Sequence, residues 1–208
     1  KGTGSHSYKW DGKTLTAQFE HEYDWANMPA RYDGTNAAAF DGVARLMSDL
    51  GVAVDMQYTE DGSGSYISDL VAAMQKYFGY SKISHQMSIE AGSAEEWNEK
   101  LRGEIDANRP VLYAAFDSIG GGHAFVIDGY KDDSFSVNWG WGGLCNGFYH
   151  IGALNPQNEE GKPVASRYNV GQMAVFGMEP SDGKEKISDM RFMKMTDYLQ
   201  EMNMNVTD

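Results

Sequence analysis

The chain of 208 residues has a single cysteine, Cys145, which excludes an internal disulfide and any metal site built on several cysteines. Positive charge is scarce: 17 Lys and Arg against 30 Asp and Glu give a formal net charge of −13. A field of that sign repels phosphate and argues against nucleic acid or an anionic membrane as partner. No apolar stretch approaches the length of a membrane span, and no secretory signal pattern is present at Lys1-Gly2-Thr3-Gly4. His6, His21, His85 and His150 are scattered without His-Glu-x-x-His spacing, so neither a metal nor a cofactor is expected. A serine triad lacks its Gly-x-Ser-x-Gly elbow, and no internal repeat is visible. What remains is ordinary globular material, 41% hydrophobic and 12% aromatic, enough for one good core.

Ser7–Trp10 and Lys13–Ala17 read as a hairpin turning at Asp11-Gly12. Asp33-Gly34-Thr35-Asn36 precedes a helix over Ala37–Leu50, with Ala37, Phe40, Val43, Ala44, Met47 and Leu50 on one apolar face and Gly51 as its stop. Asp61-Gly62-Ser63-Gly64-Ser65 reads as a flexible loop. Ser68 is placed to cap a helix through Tyr77 that closes at Gly79. Ser93 with Glu96 forms a capping box for a helix to about Asp106. After Pro110 the pattern changes to strands: Val111–Phe116, His123–Tyr130, Ser134–Trp139, Gly147–Ile151 and Gln172–Met178. Helices followed by consecutive antiparallel strands predict an α+β fold over residues 1–180. Residues 181–208 read as a linker and a methionine-rich tail, or as the start of a further module.

The most informative run is Gly120-Gly121-Gly122-His123, opening an apolar strand, with Asn138-Trp139 ending the next strand fifteen and sixteen residues on. A hairpin of that spacing presents an imidazole beside an orienting partner, the base half of a nucleophile–base site. Neighbouring strand residues face opposite ways, so only one of Asn138 and Trp139 can meet the ring from the sheet face. Asn138 would hold it by a side-chain hydrogen bond; Trp139 would pack over it and exclude water. The glycines allow close approach of another chain. A phosphate-loop reading fails because the loop feeds a strand and not a helix N-terminus. Cys145, in the turn Gly143-Leu144-Cys145-Asn146-Gly147, has no helix N-terminus after it to depress its pKa, and reads as an incidental turn residue.

These residues resemble the streptopain family of papain-like cysteine peptidases. The likeness is carried by Gly121–Gly129, Val137-Asn138-Trp139-Gly140-Trp141-Gly142-Gly143, Asn146-Gly147-Phe148 and Ala153-Leu154-Asn155-Pro156. Upstream it continues in Tyr23-Asp24-Trp25, Leu46–Gly51, Val54-Asp55-Met56, Phe78-Gly79-Tyr80 and Trp97, so that residues 1 to 180 are covered. The resemblance implies a papain-like fold represented mainly by its antiparallel, histidine-bearing sheet with flanking helices. It implies that His123 is general base and acid for a cysteine thiolate. Trp139 matches the position that replaces the orienting asparagine of papain, with Asn138 its neighbour. Gly121, Gly122 and the Ser63-Gly64-Ser65 loop match segments lining the substrate cleft, with a protein or peptide substrate lying between the two loops.

The family's nucleophile opens a helix that ends just before a Tyr-Pro-x-Lys-Gly stretch, and this chain starts at the Lys-Gly. The expectation is therefore a thiolate supplied from upstream of Lys1, with that N-terminal segment or a propeptide as partner. The chain alone is expected to be inactive, and unstable or associated through the apolar surface left uncovered. The resemblance also implies a bacterial, secreted or cell-surface location. The alternative is a non-catalytic pseudo-peptidase that binds a peptide or a partner, although such a module would have no need of the histidine.

Overall fold

A computed structural model describes residues 2–28, 37–118, 120–158, 160–165 and 167–180. The expected helix cap at Asp33–Asn36 and the whole 181–208 tail lie outside the described residues. The described chain gathers into two compact units, one up to Ser81 with Pro180, the other Lys82–Glu179.

In the first unit, β1 (Ser5–Trp10) and β2 (Lys13–Gln18) pair antiparallel with Trp10 opposite Lys13. The two turn residues are both left-handed, Asp11 at φ 48° and Gly12 at φ 70°, the pair of conformations that matches strand twist in a two-residue hairpin. Helix α1 runs Ala37–Ala53, three residues beyond its expected end. Gly51 is inside the helix and is not its stop: a Cβ there would collide with the Tyr58 hydroxyl, so the glycine serves close approach. The predicted apolar face is also corrected, since Phe40 and Met47 are exposed while Asp49, Val52 and Ala53 are buried. Asp61–Ser65 is not an irregular loop. Strands β3 (Gln57–Thr59) and β4 (Gly62–Gly64) pair across it, with Tyr58 opposite Ser63. Helix α2 (Ile67–Phe78) buries Val71, Met74 and Tyr77 at a spacing of three and ends on left-handed Gly79. Ser68 lies in its first turn and does not cap it, Tyr66 being the N-cap. Phe19, Val52, Val54, Ala73 and Tyr77 form this unit's core.

The second unit contains a six-stranded antiparallel sheet flanked by one helix. Its elements are β5 (Ser84–Met87), α3 (Ala94–Asp106), β6 (Val111–Phe116), β7 (Gly122–Lys131), β8 (Ser134–Asn138), β9 (Gly147–Tyr149) and β10 (Val170–Phe176). The order β5-β10-β6-β7-β8-β9 corrects the expectation of purely consecutive strands, because β10 returns to insert between β5 and β6. The Ser93 hydroxyl accepts from Glu96 N at 3.2 Å and starts α3 as expected. Alternation then builds the core. Val111, Tyr113 and Ala115 of β6, Phe125 and Ile127 of β7, and Phe135 and Val137 of β8 are all buried. Trp97 and Leu101 of α3 join them, with the Trp97 indole donating to the Tyr113 hydroxyl at 3.0 Å. Each such large side chain contributes roughly 1.5–3 kcal/mol by leaving water. The fold is α+β.

Candidate active site

His123 belongs to the same alternation as Phe125 and Ile127, so its ring sits at the rim of the buried face of β7. The β7–β8 ladder pairs Val126 with Asn138. Carried one step further, that register sets Phe125 beside Trp139 and His123 beside Trp141. The rings follow it: Phe125 and Trp139 lie 4.6 Å apart, His123 and Trp141 4.8 Å. Trp139 is fully buried, its ring 6.2 Å from the imidazole at 15°. Tyr168, from the segment leading into β10, adds a third wall at 5.4 Å.

The polar partner of the imidazole is a backbone atom. His123 Nε2 lies 2.9 Å from the Trp139 carbonyl oxygen. A carbonyl only accepts, so Nε2 carries the proton and donates; in the neutral ring Nδ1 is then an unprotonated lone pair. Nδ1 has no hydrogen-bond partner among the described residues. The side-chain role considered for Asn138 is corrected: its Oδ1 accepts from Gly140 N at 3.0 Å, and the residue is exposed. Trp139 therefore contributes in two ways, through its carbonyl and through its ring. Its buried indole N–H has no oxygen or nitrogen acceptor among the described residues, with Tyr149 edge-on to the ring at 5.4 Å.

The glycine loop is held by a residue the sequence did not point to. Asp117, buried after β6, accepts from Gly121 N at 2.8 Å, while its own N–H donates to Gly121 O at 2.9 Å. A Cβ on Gly121 would come within 3.0 Å of Asp117 Oδ2, and one on Gly122 within 3.0 Å of the Phe116 ring. Both glycines fit the close packing of the loop on Asp117 and Phe116, and they bring bare backbone up to His123. Burial, followed by the nearby Asp117 charge, pushes the Tyr168 hydroxyl pKa up. No motif marks either residue: Asp117 acts through Gly121, four residues on, and Tyr168 meets His123 by tertiary packing. Ser63, Gly64 and Ser65 are exposed on the β3–β4 hairpin of the first unit, where the Ser65 hydroxyl donates to the Val54 carbonyl.

Cys145 does not have the environment of a nucleophile. It is 8 % exposed within the core cluster, at a left-handed φ of 63°, and its carbonyl accepts from the Tyr149 hydroxyl at 2.6 Å. Burial pushes its thiol pKa up, the opposite of what an attacking thiolate requires. Among the described residues no three acidic, histidine or cysteine side chains gather to hold a metal.

The Peptidase C10 family model matches residues 1–149. The chain belongs to the Peptidase C10 family. It is 35% identical to streptopain of Streptococcus pyogenes over 161 residues, which are 76% of this chain and 40% of that protein. It is 32% identical over 184 residues to the thiol protease/hemagglutinin PrtT of Porphyromonas gingivalis, 88% of this chain and 20% of that one. Among solved structures it resembles the active wild-type interpain A cysteine protease of Prevotella intermedia, with a TM-score of 0.76 and 36% identity. That likeness covers 85% of this chain and 74% of the other. The chain therefore spans well under half the length of the streptopains it matches.

Proposed function

We propose that this C10-family chain is the histidine-bearing part of a cysteine endopeptidase whose nucleophilic thiolate comes from polypeptide outside these 208 residues. The observation that carries this reading is the state of His123. Nε2–H is committed to the Trp139 carbonyl, and Nδ1 is left as a base with nothing bound to it.

The chemistry follows from that division. Nδ1 removes the proton of an incoming cysteine thiol, giving a thiolate–imidazolium pair. The thiolate attacks the peptide carbonyl, and Nδ1–H then protonates the departing amine, leaving an acyl-enzyme. In the second half, Nδ1 takes a proton from water, hydroxide attacks the thioester, and the thiol is released. The Nε2–H···O=C bond stays intact throughout and keeps the ring from turning. The faces of Trp141 and Trp139 favour the imidazolium by cation–π attraction and exclude water. Exposed Gly121 and Gly122 present backbone without side chains beside the ring, where a substrate backbone would lie. His123 is the catalytic base and acid, and Trp139 positions it. The only cysteine within the 208 residues is the buried Cys145, which is why the thiolate is assigned elsewhere. The resemblance to the streptopain family supports a secreted or cell-surface setting.

The test is peptide hydrolysis by the natural protein with and without His123→Ala. Abolished turnover in a variant with unchanged circular dichroism supports the reading; unchanged turnover overturns it. Binding of peptide without turnover by the unaltered protein would instead identify a pseudo-peptidase.

A further inference from the structure

A cavity of about 350 Å³ opens in the second unit beside β9, lined among others by Phe148, Tyr149, His150, Asn155, Arg167 and Asn169. None of its described lining residues is Asp or Glu, in a chain of net charge −13.

Its one charged group is the Arg167 guanidinium, and the Asn155, Gln157 and Asn169 amides line it as well. Among the described residues, Arg45 donates to His21, Arg102 pairs with Glu95 and Asp133, and Arg109 pairs with Glu104 and Glu179. Arg167 alone among the described arginines has no acceptor. Asn169 Oδ1 is already taken by the Leu154 N–H at 3.0 Å, so what Asn169 has left to offer is its amide N–H groups. His150 donates through Nδ1 to the Asp133 carbonyl at 3.0 Å, which leaves its Nε2 as an acceptor in the neutral ring. Phe148, Tyr149, Gly152 and Ala153 supply apolar lining. The group that the unpartnered guanidinium favours is a carboxylate.

The pocket adjoins the catalytic wall. Tyr149 packs edge-on against Trp139 at 5.4 Å, and Trp139 lies 6.2 Å from His123. Arg167 and Asn169 flank Tyr168 in sequence, and the Tyr168 ring is 5.4 Å from His123. Arg167 and Asn169, one residue either side of a ring 5.4 Å from His123, are thus within a few residues of extended peptide, ~3.3 Å each, of the imidazole. We infer that this pocket is a subsite for a peptide carboxylate about two to four residues from the scissile bond, held by Arg167 with Asn169. The carboxylate is that of an acidic side chain or of the peptide's own C-terminus.

This inference rests on the peptidase reading, so its test separates the two. The natural protein is assayed on peptide pairs that differ only as Glu against Gln at those positions, and on pairs ending in a free acid or an amide. The expected result is a twofold to about fivefold preference for the carboxylate member, since Arg167 is exposed and screened. That preference shrinks in high salt, disappears in Arg167→Gln, survives in part in Arg167→Lys and persists in Arg102→Gln. Whichever pair shows it names the source of the carboxylate. Absence of any preference, or a preference that Arg167→Gln leaves intact, overturns the subsite. The same peptides, fluorescently labelled, are titrated against the His123→Ala protein by anisotropy. Arg167-dependent tighter binding of the acid without hydrolysis by the unaltered protein supports the subsite and sinks the peptidase reading. Hydrolysis with no Arg167-dependent discrimination does the reverse.

Discussion

Two histidines, one in each unit, differ in how their ring nitrogens are engaged: both in His21, one in His123. His21 has Nε2 at 2.7 Å from Asp49 Oδ2 and Nδ1 at 3.2 Å from the Glu22 carbonyl, with Arg45 Nε 3.3 Å from the same Nε2. Tyr23 donates to the same Asp49 oxygen at 3.0 Å. Both ring nitrogens of His21 are engaged, in a charged knot that ties the segment after β2 to α1. His123 has one engaged nitrogen, a neutral acceptor for it, and aromatic faces in place of charges. By the usual reading of His–carboxylate pairs as catalytic, His21 with Asp49 would look the better candidate. The free nitrogen decides against it, because a base needs an unshared lone pair facing space that a substrate can enter.

The largest expected difference between the two sites is in turnover. His123→Ala should lower kcat by about 10³-fold or more, within and beyond the range general acid–base residues command. His21→Ala should change kcat little while lowering thermal stability, and a comparable loss of activity in both variants would erase the distinction. Next comes packing around the reactive ring. Trp139→Ala removes a fully buried indole and should cost about 3–5 kcal/mol in chemical denaturation, with activity falling as His123 loses its wall. Trp139→Phe keeps the carbonyl and most of the ring, so it should recover much of both.

In the first unit, Asp49→Ala leaves His21 and the Tyr23 hydroxyl without their buried acceptor. The expected cost is about 1–3 kcal/mol, read by urea unfolding, with kcat for the folded fraction unchanged. The Tyr23 hydroxyl pKa, raised by burial and by its bond to Asp49, should drop in that variant on ultraviolet titration.

The smallest effect concerns acid stability of the second unit. Burial alone would raise the Glu104 pKa, but hydrogen bonds from Arg109 and the Gly177 N–H, with the Arg109 charge, hold it below 4.5. The folded state thus binds fewer protons than the unfolded one in that window. This part of the stability is complete above about pH 4.5 and is lost as pH falls through the lowered value. Glu104→Gln should flatten that acid limb in a melting-temperature series from pH 6 to pH 3, and an unchanged limb would remove Glu104 from the account.

The sequence made the reactive half of the comparison visible and concealed its wiring. Glycines before His123 and the Asn-Trp pair at the right spacing point to an imidazole with a partner, because strand geometry repeats every two residues. Which atom of that partner holds the ring was hidden: the acceptor is a main-chain carbonyl, a group every residue has. Tyr168 was hidden for a different reason: it leads into β10, whose insertion beside β6 loop lengths do not specify. Asp117 holds the glycine loop locally, through Gly121 four residues on, a pairing that no sequence motif marks. Gly51 was misread because a helix stop and a close approach of Tyr58 require the same residue. Phe40 and Met47 obeyed helical periodicity, yet among the described residues α1 buries Asp49 and Val52 instead, the charged knot with His21 having been invisible in the sequence pattern.

The central claim is that His123 serves a thiolate other than Cys145. Its most direct test is labelling of the natural protein with a peptidyl epoxide directed at cysteine peptidases, with the modified cysteine located by mass spectrometry. The account predicts a single labelled cysteine outside residues 1–208, with labelling lost in His123→Ala and unaffected by Cys145→Ser. An adduct on Cys145 would contradict it.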